Sequence, residues 1–208
     1  MPAQDLAELF DVVDAEGNLT GVAKPRGEVH RDGDWHRSIH LWVVFDTEPR
    51  AVLLQRRGYE KDTNPGKVDV SVAGHLCAGE SPTDALRESK EEVGLVVTPE
   101  ACEFLGVRRS EHLSPHWKDR EQQHIFVTFT PVAFESLVPH PEEVASLVRV
   151  TLSDLRALIT HGAPCPALER DATGTHAITL TTDALVATTD GYPAWVLDAI
   201  EQRTRREP

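Results

Sequence analysis

The sequence predicts a mixed-sheet α/β sandwich, on three observations. Segments with strand character outnumber helical ones. They follow one another as hairpin-like pairs rather than in the regular strand–helix alternation of a doubly wound parallel sheet. The chain of 208 residues, 40% hydrophobic and 26% charged, suits one globular domain with extensions and can build a core without disulfide staples.

Residues 9–14, LFDVVD, form the first predicted strand; the AEGN turn signal at 15–18 and LTGVAK complete an opening hairpin. The polar stretch 25–37, PRGEVHRDGDWHR, reads as irregular backbone marked by Gly27 and Gly33. IHLWVVF (39–45) and AVLLQRR (51–57) are β segments separated by a DTEPR turn. A loop at 58–67 leads to VDVSVAG (68–74), read as one strand. Next comes a helix with Ser81 at the N-cap, Pro82 at its first position, Asp84 in its first turn and Gly94 closing it after Val93. CEFLGVRR (102–109) and HIFVTFTPV (124–132) are strands flanking a polar loop at 110–123. VASLVRVTL (144–152) runs into a helix capped by Ser153. The chain divides into a domain over 1–162 and an extension over 163–208, which ends in an amphipathic helix with apolar Trp195, Val196, Ala199 and Ile200.

The formal net charge of −13 argues against a nucleic-acid or anionic-membrane surface, yet leaves room for small phosphate ligands held by a cation and a few basic groups. Cys77, Cys102 and Cys165 are odd in number and widely spaced, which fits a reduced compartment. The first residues have neither a basic nor an apolar targeting region, and no apolar run reaches spanning length, so the expectation is a soluble, cytoplasmic protein.

The chemically informative segment is AGHLCAGESPTDALRESKEEVGL, 73–95. At 100° per residue, Ala85, Leu86, Ser89 and Val93 share a core-facing arc, while Glu88, Glu91 and Glu92 share another. Like charges at this spacing repel. A cluster of oxygen donors suits a hard cation, Mg²⁺ or Mn²⁺, whose charge offsets that repulsion. Arg87, four residues before Glu91, can orient it. The plain alternative is a solvated acidic face.

The segment resembles the Nudix box, G-x5-E-x7-R-E-U-x-E-E-x-G-U with U a bulky aliphatic. Gly74, Glu80, Arg87, Glu88, Glu91, Glu92, Gly94 and Leu95 stand at its fixed positions. Six residues rather than seven separate Glu80 from Arg87, and Ser89 stands where an aliphatic is expected. The resemblance implies a Nudix α/β/α sandwich and a Mg²⁺-dependent diphosphate hydrolase. In it Glu88, Glu91 and Glu92 bind metal, Glu80 and the Gly74 carbonyl assist, Arg87 orients a glutamate, and metal-activated water attacks phosphorus.

Most of residues 10–160, and most strongly 11–95, further resembles the branch containing isopentenyl-diphosphate isomerases and their hydrolase relatives. That likeness implies a metal site from His30, His36 and His75, and diphosphate binding by Arg57 and Lys61 with His75 beside them. Ala73 replaces the isomerase nucleophilic cysteine in the Ala73-Gly74-His75 triplet, and Cys77 lies beyond the glycine, which favours hydrolysis over isomerisation. An isomerase-like enzyme and a non-catalytic diphosphate-binding module are the alternatives. Glu121 and Glu143 are candidates for a further ligand or base, and His112, His116 and Trp117 for a pocket wall. Each of these residues, and the Arg56, Arg57 and Lys61 cations, also reads as ordinary surface or turn structure. The partner expected is a small-molecule diphosphate, with no nucleic acid and no membrane. Oligomeric state stays open, a homodimer included because it is common in the resembled family.

Overall fold

The computed structural model describes residues 5–114 and 118–205. His116 and Trp117 fall outside them.

The chain opens with the expected hairpin, β1 (Leu9–Val13) and β2 (Leu19–Pro25). The stretch read as irregular contains a helix instead, α1 (Arg26–Asp32). Pro25 enters it with fixed φ, Glu28 favours its first turn, His30 and Arg31 its last, and Gly33 closes it in the left-handed region at φ 78°. These signals outweigh Gly27.

The central strand is β3 (Trp35–Phe45). One edge runs parallel to β8 (Lys118–Thr130) over its whole length. The other edge is shared. It meets β1 at Trp35, β6 (Val72–His75) from Ser38 to Leu41, and β4 (Ala51–Arg57) from Val43 to Phe45. The single strand expected over 68–74 is therefore two: β5 (Val68–Asp69) pairs with β4, and β6 with β3. Ser71 turns inward at the break, accepting from Val43 N at 2.8 Å and donating to the Leu53 carbonyl.

β7 (Cys102–Leu113) pairs with β8, so much of the polar segment 110–123 is a long hairpin. β9 (Val144–Thr151) pairs with β4 and runs into α3 (Leu152–His161). Thr151, not Ser153, caps that helix, accepting from Asp154 N at 3.1 Å, because the backbone is still extended at 151 and helical from 152. After residue 162, β10 (Cys165–Asp171) and β11 (Gly174–Leu180) continue the same sheet beyond β9. α4 (Tyr192–Thr204) then packs beside α3. Its buried face is Tyr192, Val196, Leu197 and Ile200. Trp195 stays 41% exposed, one residue off that face.

Alternation along β3 and β4 sorts the core into two layers. Trp42, Val44, Val52 and Leu54 pack with residues of α3 and α4. Leu41, Val43, Phe45 and Leu53 pack with Leu76, Leu86 and Val93 under the acidic helix. This is the sandwich that the sequence predicts.

The acidic helix itself is shorter than expected. Ser81 and Asp84 bond reciprocally, Ser81 N donating to Asp84 Oδ2 at 2.9 Å and Asp84 N to Ser81 Oγ at 3.3 Å, as an N-terminal cap should. Asp84–Arg87 is nevertheless 3₁₀, and α2 covers only Glu88–Val93. Four residues rising about 2.0 Å each span about as far as five rising about 1.5 Å. The tighter turn thus offsets the missing residue, and Glu80 still reaches Arg87.

Ser89 is fully buried in the core-facing arc, and its hydroxyl is satisfied. Oγ lies 2.8 Å from the carbonyls of both Leu86 and Leu95, tying the helix to the chain that leaves it. Ser89→Ala should cost about 1 kcal/mol, seen as a melting temperature lowered by about 2–4 °C. Ser89→Leu should cost more, about 1–3 kcal/mol, by overpacking a closed site. A leucine variant more stable than wild type would contradict this account.

Candidate active site

A cleft of about 550 Å³ is lined from both layers of the sandwich. β4 and β6 leave β3 at different points, and the cleft joins the acidic helix to the histidines and to the C-terminal extension.

At the acidic end, Arg87 gathers three glutamates. Its Nε and Nη2 donate to Glu80 at 2.9 and 3.2 Å, and its Nη1 donates to Glu88 Oε1 at 2.7 Å and Glu91 Oε2 at 2.8 Å. Glu80 also accepts from Cys77 N at 2.8 Å and does not line the cleft, so it anchors Arg87. Glu91 is largely exposed. Glu92 is only 4% exposed, and its Oε2 accepts from Gln55 Nε2 at 3.0 Å and Ala73 N at 3.1 Å. Gly74 lets Glu88 approach: a Cβ there would stand 2.4 Å from Glu88 Cγ and 2.6 Å from its Cδ. Glu88, Glu91 and Glu92 thus converge on the cleft, but unequally.

Burial pushes the Glu88 carboxyl up to about 7, with Arg87 opposing and Glu91 and Glu143 adding to it. Burial and then the Glu88 charge push Glu92 up to about 8. Both folded values exceed the ordinary 4.5, so the folded state keeps protons that the unfolded chain releases. Their stabilising contribution is complete below about pH 4.5 and is lost as pH rises through 7 and 8. His36 and His75, held down to about 4 chiefly by burial, change stability in the opposite sense, but below about pH 6.5. Between pH 7 and 8.5 the metal-free protein should therefore lose on the order of 2 kcal/mol, about 5 °C in melting temperature. A divalent cation should flatten that fall. A flat metal-free profile over this window would contradict the buried-acid assignment.

Arg57 and Lys61 line the same cleft, each tethered by a carboxylate: Arg57 Nη1 to Asp69 at 3.1 Å and Lys61 Nζ to Glu143 at 3.1 Å. Arg57 also bonds the Thr63 carbonyl at 3.0 Å. Their limited exposure separates them from ordinary surface pairs. Arg56 instead joins Glu169 on β10.

His75 joins His30 and His36 rather than the two cations. With Asp119 they offer ligand atoms all within 4.8 Å of one another. Nδ1 of His30 is 2.9 Å from the Arg26 carbonyl, and Nδ1 of His36 is 3.2 Å from the Asp34 carbonyl. Those contacts fix the tautomer and turn each Nε2 inward. His36 Nε2 and Asp119 Oδ1 are buried, make no hydrogen bond among the described residues and lie 3.5 Å apart. His75 Nε2 is 3.0 Å from Glu121 Oε1. The His75 contact and the fields of His75, His36 and His40 hold Glu121 well below the carboxylate range against its burial. Phe10 stacks on His36 and His75, with centroids 5.4 and 4.9 Å away. Neutral imidazoles with an adjacent carboxylate fit a divalent cation.

Several lining residues escaped the sequence reading: Arg26, Ser38, His40, Gln55, Asp119 and Tyr192. Ser38 Oγ is buried and without a hydrogen bond among the described residues. His112 lines the cleft as expected of a wall residue. Cys77 does not: Sγ meets Glu8 Oε1 at 2.9 Å, and burial with that contact pushes the thiol up to about 12, the reverse of an activated nucleophile.

A family model described as the NUDIX domain matches residues 34–167. The chain is 36% identical over 162 residues to Nudix hydrolase 3 of Arabidopsis thaliana, covering 76% of this chain but 21% of that protein. It is 38% identical over 149 residues to an uncharacterised Nudix hydrolase of Clostridium acetobutylicum, covering 71% of this chain and 72% of the relative. An isopentenyl-diphosphate Delta-isomerase of Streptomyces griseus is 32% identical over 152 residues, covering 72% and 74%. Among solved structures, DR0079 from Deinococcus radiodurans superposes with a TM-score of 0.53 at 18% identity, over 74% of this chain and 90% of that one, a likeness of fold. No helix among the described residues is long and apolar enough to cross a membrane.

Proposed function

This chain belongs to the Nudix hydrolase family, and from that premise we propose that it hydrolyses the diphosphate bond of a small molecule, a nucleoside diphosphate derivative or a related diphosphate, with Mg²⁺ or Mn²⁺ as cofactor. One observation carries the reading. Glu88, 15% exposed, and Glu92, 4% exposed, crowd into one cleft: the Arg87 guanidinium that reaches Glu88 is shared with Glu80 and Glu91, and Lys61 is paired with Glu143.

Glu88, Glu91 and Glu92 would hold the cation, with the Gly74 carbonyl beside them. When bound, it supplies charge neutralisation on the diphosphate oxygens and a water of lowered pKa. Arg57 and Lys61 line the cleft where they can receive the diphosphate, exchanging their carboxylate partners for it. Arg87 fixes the geometry of Glu88 and Glu91. Glu143, near enough to raise Glu88 and Glu92, is the carboxylate available to take a proton from water. The histidine cluster, whose donors are mostly imidazole, would hold a second, softer divalent cation.

Hydrolysis is favoured over isomerisation by Ala73, which brings no thiol, and by the environment of Cys77. The test is a Mg²⁺-dependent panel of nucleoside di- and triphosphates, dinucleotides, ADP-ribose, coenzyme A and isopentenyl diphosphate, with Glu92→Gln in parallel. Turnover of one class by wild type alone supports the proposal. Isomerised rather than hydrolysed isopentenyl diphosphate would replace it, and tight binding without turnover would make the chain a binding module.

A further inference from the structure

The C-terminal extension reaches the histidine cluster through a continuous chain of polar contacts, with Arg108 of β7 at its centre. Arg108 Nε donates to Asp190 Oδ2 at 2.6 Å, and its Nη1 donates to Gln123 Oε1 at 2.6 Å. The guanidinium lies over the Tyr192 ring, 4.4 Å from the centroid. Gln123 is buried, and its Nε2 donates to Glu121 Oε2. The other oxygen of Glu121 faces His75 at 3.0 Å.

The direction of this chain is set by chemistry. A carboxamide has one accepting and one donating end, whereas a guanidinium only donates. Arg108 therefore holds the oxygen of Gln123 toward itself and the NH₂ toward Glu121. Without Arg108 the Gln123 oxygen loses its donor and only the Glu121 carboxylate holds the amide, which is then no longer fixed from both ends. The extension is also built into the cleft. Leu185, Val186 and Tyr192 line it, and the Tyr192 hydroxyl accepts from Trp42 Nε1 at 2.8 Å and meets His40 Nδ1 at 2.8 Å.

We propose that Arg108 is a positioning residue: by fixing the Gln123 amide it aims the Glu121 carboxylate at the His30–His36–His75–Asp119 cluster, and so makes Asp190 and Tyr192 of the C-terminal extension part of that cation site. The inference rests on the cluster holding a divalent cation, and it is independent of which diphosphate is cleaved. Outer contacts of this kind typically change metal affinity by about 10–100-fold.

Co²⁺ serves as the probe, because imidazole ligation gives it a visible absorption band. The full chain is titrated as wild type, Arg108→Met, Gln123→Leu and the double variant, with a thermal melt of each. Arg108→Met should weaken Co²⁺ binding at the imidazole-ligated site at least tenfold and alter its band. In the Gln123→Leu background it should have no further effect, since the amide it orients is gone. If Arg108→Met fails to fold, Gln123→Leu alone must still weaken Co²⁺ binding tenfold. Equal affinity in wild type and both single variants overturns the proposal, as do strictly additive losses, which would mean that Arg108 only seats the extension. No imidazole-ligated Co²⁺ in wild type overturns the cluster reading and this inference together, while leaving the hydrolase proposal standing.

Discussion

Glu92→Gln should lower kcat for diphosphate hydrolysis by about a thousandfold while leaving the metal-free protein at least as stable as wild type. The first effect follows from losing a metal-binding carboxylate, which is worth several kcal/mol of charge stabilisation, with each 1.4 kcal/mol a factor of ten. The second follows from the geometry of the site. A glutamine oxygen can still accept from Gln55 Nε2 and Ala73 N, and the buried charge facing Glu88 disappears. Steady-state kinetics at saturating Mg²⁺ and a melt in chelator at pH 8 measure the two. A variant that is inactive because it is unfolded would fail the second measurement, so the two causes separate. Full activity in a folded variant would refute Glu92 as a ligand.

Gly74→Ala should lower activity by about a hundredfold for a different reason. Nothing chemical is removed. The added methyl would occupy the space of Glu88 Cγ, 2.4 Å away, and drive that carboxylate out of its position beside Arg87. Some of the cost falls on folding, about 1–3 kcal/mol as for other overpacked sites. The larger part falls on metal geometry, so the apparent Mg²⁺ requirement should rise along with the loss in kcat. A variant with unchanged Mg²⁺ dependence would show that Glu88 does not need this approach.

The acidic helix was legible because everything that defines it is local. The 100° spacing predicts both its core arc and its carboxylates, and Ala85, Leu86, Ser89 and Val93 are all buried. Glu92 exceeds that expectation: it stands at the edge of the acidic arc beside the core arc, and it is buried with Gln55 across the sheet as its partner. The shortened spacing before Arg87 was visible in the sequence. Its remedy, a 3₁₀ turn, was not, because propensities do not distinguish one tight turn from another.

The histidine cluster was half legible. His30, His36 and His75 could be picked out, but Asp119 could not. It joins them only because β8 lies parallel to β3, which pairs Trp35 with Arg120 and His36 with Glu121 across more than eighty residues of chain. Such long-range parallel pairing leaves no local mark. α1 was missed for the opposite reason. Its signals are local, but a glycine marks irregular backbone and a helix cap alike, and here Gly33 is the cap that ends a helix. Tyr192 was hidden by a shift of phase: the extension's helix buries Tyr192, Val196 and Ile200, while Trp195 lies beside Gly106 of β7 and stays partly exposed.

Hydrolysis by this chain requires a divalent cation among Glu88, Glu91 and Glu92. Anomalous diffraction from crystals soaked in Mn²⁺ tests it most directly. The account predicts a peak at about 2.2 Å from carboxylate oxygens of Glu88 and Glu92, lost in Glu92→Gln while any peak at the histidines remains. A peak confined to the histidine cluster, with the glutamates bare at saturating Mn²⁺, would contradict it.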